Sequence, residues 1–268
     1  MTNSDILETI TPGFIGAGKM GGAIIRGFLA AHPEKKIQVY EKSPEAKQKL
    51  STFKNIYFTE TLQELEKKSD TVILCVKPQD MSSVLSQMEG SRQYISIAAG
   101  ISISSIQNHL QQSKLISRAM PNVAAEIGLS VTGFYCADKN LSKITQEIFS
   151  CLGSVFKLDR EEQIHAVTAL AGSGPAYVFS MIHAMAEGGV LCGLPYELSL
   201  EMAIKTIQGS ASLLLHTGNH PSAMRNSVTS PGGTTITGLS VLESGGFHGL
   251  IMEAVEAASE KSKSLQSI

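Results

Sequence analysis

Short apolar, β-branched runs alternate with longer stretches of helical spacing over the first part of the chain. Residues 13–15, 37–40, 56–59, 71–76, 94–98 and 115–118 read as strands, and residues 20–31, 44–53, 62–68, 81–88 and 103–112 between them read as helices. Pro44 suits a first helical turn, where its missing N–H costs nothing. Strands without a polar face need cover on both sides, which helices between parallel strands provide. A run at 129–136, a helix at 141–152 and a strand at 154–158 complete this half.

Beyond residue 158 the strand pattern stops. Residues 164–171, 176–191, 197–215, 222–228, 234–242 and 247–265 carry helical spacing, punctuated by Gly172, Pro175, Gly193, Pro195, Gly218, Pro221 and Gly245-Gly246. Between Gln163 and Leu215 only Glu187, Glu197, Glu201 and Lys205 are charged, too few to solvate several helices. Burial against a second subunit is the expected remedy. Packing of these helices on the first half is the alternative.

Gly16-Ala17-Gly18-Lys19-Met20-Gly21 gives the first half its chemistry. The motif follows an apolar strand, opens a helix and precedes a second strand, the context of a dinucleotide fingerprint. Gly16 permits the turn, Gly18 lets the backbone approach a pyrophosphate, and Gly21 allows close helix–strand packing. Glu41, at the end of the second strand, could accept both ribose hydroxyls of NAD, whereas Lys42, Ser43 and Lys47 could hold a 2′-phosphate. NADP is the favoured cofactor and NAD remains open. Val76-Lys77-Pro78 and Ala98-Ala99-Gly100 end the fourth and fifth strands, on the edge where such sheets bind ligands. The fold class expected is α/β: a Rossmann-type dinucleotide-binding domain over residues 1–160, then an all-helical substrate-binding and dimerisation domain over residues 161–268.

A second glycine-rich loop, Ser230-Pro231-Gly232-Gly233-Thr234-Thr235, ends where another helix starts. A carboxylate placed there could accept from the N–H groups of Gly233, Thr234 and Thr235 and from the Ser230 hydroxyl, with no basic side chain. A plain helix cap is the competing reading. The small-residue run Gly172-Ser173-Gly174-Pro175-Ala176-Tyr177 reads as a tight joint between helices.

Composition narrows the partners. The 268 residues are 43% apolar and 17% charged, with no Trp and a formal net charge of -2, so nothing marks a nucleic-acid or anionic-membrane binder. Residues 176–195 are interrupted by His183, Glu187, Gly188 and Gly189, which argues against a membrane span. Residues 1–11 lack a basic start and an apolar run, which leads to a cytoplasmic expectation. Cys75, Cys136, Cys151 and Cys192 show no C-x-x-C spacing and read as buried free thiols. The histidines lack metal-ligand spacing, so no metal is assigned; His165 and His183 read as core or interface residues, and Met181, Met185 and Met202 as interface filler.

Phe14 to Gly21, Val76-Lys77-Pro78-Gln79, Ala98-Ala99-Gly100, Met120-Pro121-Asn122, Gly172 to Tyr177, Thr229 to Thr235 and Glu243 to Phe247 together resemble the ordered motifs of the pyrroline-5-carboxylate reductases. The resemblance spans nearly the whole chain, and Ser-Pro-Gly-Gly-x-Thr is its specific part. It implies NAD(P)H-dependent reduction of a cyclic imine acid to L-proline by a homodimer, sometimes assembled into larger rings. By the same resemblance Ser230, Gly233, Thr234 and Thr235 surround the substrate, Thr235 contacts its ring nitrogen, and Glu161 and Ser227 lie near substrate or nicotinamide. Ile15, Gly16, Ala17, Gly18, Lys19, Met20, Val76, Lys77, Pro78, Ala98, Ala99, Met120 and Asn122 fall on the cofactor side, with Lys42 and Ser43 at the 2′-phosphate. Glu41 departs from that pattern and could admit NADH. The nearest rival, the β-hydroxyacid dehydrogenases, relies on a lysine that residues 172–193 lack, and a non-catalytic nucleotide sensor is the other alternative.

Overall fold

The computed structural model describes residues 5–110, 113 and 115–265. Chain contacts divide it into two compact units, one formed by residues 1–173 together with 256–268, the other by residues 174–255.

In the first unit a short helix α1 (Asp5–Glu8) precedes β1 (Pro12–Ile15), α2 (Lys19–Ala31), β2 (Ile37–Tyr40), α3 (Pro44–Leu50), β3 (Ile56–Phe58) and α4 (Leu62–Lys68). Then come β4 (Thr71–Leu74), α5 (Pro78–Leu85), β5 (Gln93–Ser96), α6 (Ile103–His109) and β6 (Ile116–Met120). β7 (Ser130–Cys136), α7 (Lys139–Ser150), β8 (Gly153–Lys157) and α8 (Gln163–Val167) follow, and α8 runs on as a π-helical turn, Thr168–Gly172. The helix expected over 103–112 stops at His109, and its last two positions lie outside the described residues. Polar caps fix several of the starts: Ser43 accepts from the Ala46 N–H ahead of Pro44, Thr61 from Glu64, and Asp138 from Leu141.

The strands form one eight-stranded sheet in the order β3-β2-β1-β4-β5-β6-β7-β8. All neighbours are parallel except β6 and β7. That exception departs from the fully parallel sheet the pattern suggested. Only residues 121–129, with a 3-10 turn over Val123–Ile127, join the two strands, too short for a helical crossover. Side chains alternate between faces, so Phe14, Ile73 and Ile95 enter one core with Ile24, Phe28 and Phe149. Ile15, Leu74 and Tyr94 enter the other with Leu65, Leu85 and Ile106. Both faces are filled.

The second unit holds α9 (Gly174–Leu191), α10 (Tyr196–Thr217), α11 (Pro221–Ser227), α12 (Thr234–Ser244) and the first turns of α13 (Phe247–Ser264). α9 and α10 form a close hairpin: the Ser199 hydroxyl donates to the Ala186 carbonyl at 2.7 Å, and a Cβ on Gly189 would lie 1.9 Å from Ser199 Oγ. Only Ala186, Ser199 and Ala203 of this unit are buried, while Leu191 is 90% and Leu215 88% exposed. His183 is exposed beside Glu187, and Met181, Met185 and Met202 lie on the surface too. Cys192 is exposed and only Cys136 fully buried, so the thiols are free but not uniformly interior as expected. Among the described residues no helix is long and apolar enough to cross a membrane, and no cluster of His, Cys, Asp or Glu could hold a metal ion.

Candidate functional site

The sheet reverses direction between β1 and β4: the chain moves outward through β2 and β3 on one side, and through β5 and β6 on the other. A ligand crevice opens at the carboxyl ends of the strands at such a point. Gly16, with φ +90°, makes the turn after β1, and its N–H donates to the Tyr40 carbonyl at 2.9 Å. A Cβ on Gly21 would stand 2.2 Å from the Gly16 carbonyl oxygen, so glycine is required there for packing. A Cβ on Gly18 would meet nothing within 4 Å, which leaves the exposed loop open to a pyrophosphate. The cradle fits a dinucleotide.

Around it, Ile15 and Ala17 are buried, Met20 is half-buried and Lys19 exposed. Lys77 caps α5 with Pro78 in its first turn, both exposed at the carboxyl edge, and Val76 is half-buried. Ala98 is buried and Ala99 half-buried beyond β5. Burial pushes the Cys75 thiol far above its usual range, leaving a neutral wall rather than a nucleophile. Glu41 takes a position the sequence could not specify: the Ala17 N–H donates to its Oε2 at 2.5 Å and the Ser43 N–H to its Oε1 at 2.7 Å. Beside it a cleft of about 430 Å³ is lined by Ala17, Gly18 and Ser43, with Lys19, Arg26, Lys49, Glu45 and Glu126. Lys42 is exposed, and Lys47, expected near a 2′-phosphate, sits 5.7 Å over the Phe58 ring instead.

Two residues of the expected cofactor side are committed to the protein. Met120 and Asn122 are both buried; the Asn122 N–H donates to Ser130 Oγ, its Nδ2 donates to the Ala171 carbonyl at 3.1 Å, and its Oδ1 accepts from Ala124. Asn122 thereby ties the end of β6 to the π turn. Glu161 is engaged as well. Its Oε1 accepts from Arg118 Nη1 at 2.7 Å and from the Ile103 N–H at 2.8 Å. Arg118 is 1% exposed, its Nη2 has no partner, and burial pulls its pKa down, against the opposing effect of Glu161. A lone arginine within an apolar strand was the signal in the sequence, but nothing there named its partner.

In the second unit the other loop folds as a tight turn before α12. Gly232 has φ +70°, and the Gly233 N–H donates to the Ser230 carbonyl at 3.1 Å. Gly233 is therefore not a free donor, contrary to expectation. A Cβ there would lie 2.4 Å from Ser230 Oγ, so glycine lets that hydroxyl fold under the helix start. Among the described residues the N–H groups of Thr234 and Thr235 have no protein acceptor, and both side chains are exposed. The Ser227 hydroxyl donates to the Met224 carbonyl at 2.8 Å and keeps its acceptor lone pairs. Ser230, Thr234 and Thr235 are thus brought together on one turn, with Ser227 at the end of the preceding helix.

Residues 161–265 match the family model described as pyrroline-5-carboxylate reductase dimerisation, and residues 11–100 match that of the coenzyme F420-dependent NADP oxidoreductases. The chain is 38% identical to a pyrroline-5-carboxylate reductase of Glycine max, over 96% of this chain and 97% of that one. The structure of a pyrroline-5-carboxylate reductase from Coxiella burnetii superposes with a TM-score of 0.89 at 30% identity, covering 96% of this chain and 98% of that chain. The Plasmodium falciparum pyrroline carboxylate reductase, solved with NADP bound, gives 0.86 at 30% identity, covering 97% and 99%.

Proposed function

The chain belongs to the pyrroline-5-carboxylate reductase family, and on that premise we propose how its residues reduce the C=N bond of 1-pyrroline-5-carboxylate to give L-proline. The reduced nicotinamide supplies the hydride when bound. The observation that carries the reading is the pair of unspent N–H groups at Thr234 and Thr235, beside the Ser230 hydroxyl. These donors take the substrate carboxylate, and Gly233 serves by letting Ser230 approach. The Thr235 hydroxyl orients the ring nitrogen. No strong acid or base is required: a protonated C=N is already electrophilic at carbon, and the nitrogen keeps its proton in the product amine. Glu161 and Ser227 contribute near the substrate, Glu161 chiefly by holding its surroundings in place.

Gly18 and Lys19 offer their amides to the pyrophosphate, while Gly16 and Ala17, whose N–H groups are taken by Tyr40 and Glu41, shape the turn that presents them, with Ile15 and Met20 behind. Lys42 and Ser43 receive a 2′-phosphate, so NADPH is the assigned cofactor. Val76, Lys77, Pro78, Ala98 and Ala99 line the path to the nicotinamide, and Met120 and Asn122 support it from within. For function we divide the chain into residues 1–160 and 161–268, supported by the dimerisation match that begins at residue 161. The proposal extends to a homodimer, with a ring of dimers as its larger form, in the cytoplasm. The apolar surface of the second unit supports such pairing.

Steady-state oxidation of NADPH and of NADH with pyrroline-5-carboxylate tests the assignment. Turnover with the cyclic imine is expected; binding of nucleotide without oxidation of either cofactor would leave a sensor.

A further inference from the structure

Three buried side chains hold α8 and its π turn. Arg118 Nη1 donates to Glu161 at 2.7 Å just ahead of the helix, His165 Nδ1 lies 2.9 Å from Ser262 Oγ, and Asn122 Nδ2 donates to the Ala171 carbonyl at 3.1 Å. The third of these replaces a missing bond. In an α-helix the Ala171 carbonyl would accept from the N–H four residues on, but that residue is Pro175, which has none. Asn122 brings a donor from outside the helix. The Ser173 N–H donates to the Thr168 carbonyl at 2.8 Å, five residues back, the bond that defines a π turn and that recurs at functional sites.

Asn122 has little left to offer a ligand. Its Oδ1 caps the 3-10 turn by accepting from the Ala124 N–H, its own N–H goes to Ser130 Oγ, and its carbonyl accepts from Ala125. It stands two residues beyond Met120, the last of β6, at the carboxyl edge of the sheet. Ser173 is where the chain leaves the first unit, and Thr234 and Thr235, which take the imine, lie beyond that exit in sequence. Hydride transfer needs the reacting atoms held about 3–3.5 Å apart, so looseness at the exit is passed on to the substrate. We propose that Asn122 is a positioning residue for the hydride transfer: standing in for the N–H that Pro175 lacks, it fastens the π turn to the carboxyl end of β6 and so fixes where the chain leaves the nucleotide-binding unit. This rests on the reading of the Ser230 turn as the substrate seat.

Two substitutions separate positioning from simple repair of the helix. Asn122→Ser keeps a capping oxygen for the 3-10 turn but is too short to reach Ala171, and Pro175→Ala returns an N–H to the helix. The full-length protein is compared as wild type, each single variant and the double variant, by NADP+ titration, chemical denaturation and single-turnover reduction of the cyclic imine by NADPH. Asn122→Ser should slow reduction at least tenfold, since a misplacement of about 1 Å costs on the order of a hundredfold, and should leave NADP+ affinity unchanged. Adding Pro175→Ala should restore the denaturation midpoint but not the rate, because the carbonyl regains a donor while the tie to β6 stays cut. The proposal is overturned if Asn122→Ser reduces at the wild-type rate, if NADP+ affinity falls by as much as the rate, which would make Asn122 a cofactor ligand, or if Pro175→Ala brings rate and midpoint back together. Where Asn122→Ser alone does not fold, the double variant carries the measurement: a rate equal to that of Pro175→Ala overturns the proposal, and a tenfold deficit supports it. Thr235→Ala, run alongside, keeps the two readings apart. A wild-type rate there strikes the substrate seat and leaves Asn122 to be judged on its own variants.

Discussion

The two units of this chain reach stability by different routes. In the first, strands bury side chains on both faces, and Phe14, Ile24, Phe28, Ile73 and Phe134 are fully enclosed. Each such side chain contributes about 1.5–3 kcal/mol. The second unit has long helices but buries only Ala186, Ser199 and Ala203, and it turns Phe179, Leu191, Leu215, Leu250 and Met252 outward. Helices with so little enclosed surface do not persist alone in water. One unit closes over its own core, and the other is half of a core whose complement lies outside it.

Substitutions can set the two against each other. The largest effect is expected at the Arg118–Glu161 pair, where Glu161→Ala strands a buried guanidinium and should cost about 3 kcal/mol in chemical denaturation. Adding Arg118→Met should recover part of that loss, whereas an unchanged midpoint for Glu161→Ala would show the pair to be idle. Gly21→Ala should cost on the order of 3 kcal/mol, because its methyl would meet the Gly16 carbonyl, and should abolish nucleotide binding in a fluorescence titration. Thr235→Ala leaves the first unit untouched. It should remove about 1–3 kcal/mol of transition-state stabilisation from kcat/KM while nucleotide affinity stays the same; unchanged turnover would take Thr235 out of the mechanism. The smallest change in intrinsic stability, within about 0.5 kcal/mol, is expected from Phe179→Glu, because the ring is 62% exposed. Sedimentation should nonetheless show that variant split into single chains, and an intact oligomer would place the interface elsewhere.

Much of this was readable in the residues. The apolar runs located the strands because a sheet covered on both faces tolerates little else, and the helices of the second unit fall within a few positions of their expected limits. Pro44 opens a helix as expected, whereas Pro78, read as closing a strand, opens α5 ahead of its expected start at residue 81. Contacts between distant residues were not legible. Arg118 lies 43 positions from Glu161, and Glu41 lies 24 from Ala17, so spacing along the chain carried no trace of either bond. The antiparallel step between β6 and β7 followed from a connection too short to cross over, a point of length rather than of residue type. In the Ser230 turn the motif identified the loop, but the backbone alone decided that the Gly233 amide would be consumed within it.

The last turns of α13 belong to the first unit: Ser262 hydrogen-bonds buried His165 at 2.9 Å, and Leu265 closes against Gly100. During synthesis these residues emerge from the ribosome only after the entire helical segment has been made. The nucleotide-binding half, although encoded first, is therefore finished last, and in a nascent chain His165 waits without its serine partner until the end of that helix arrives.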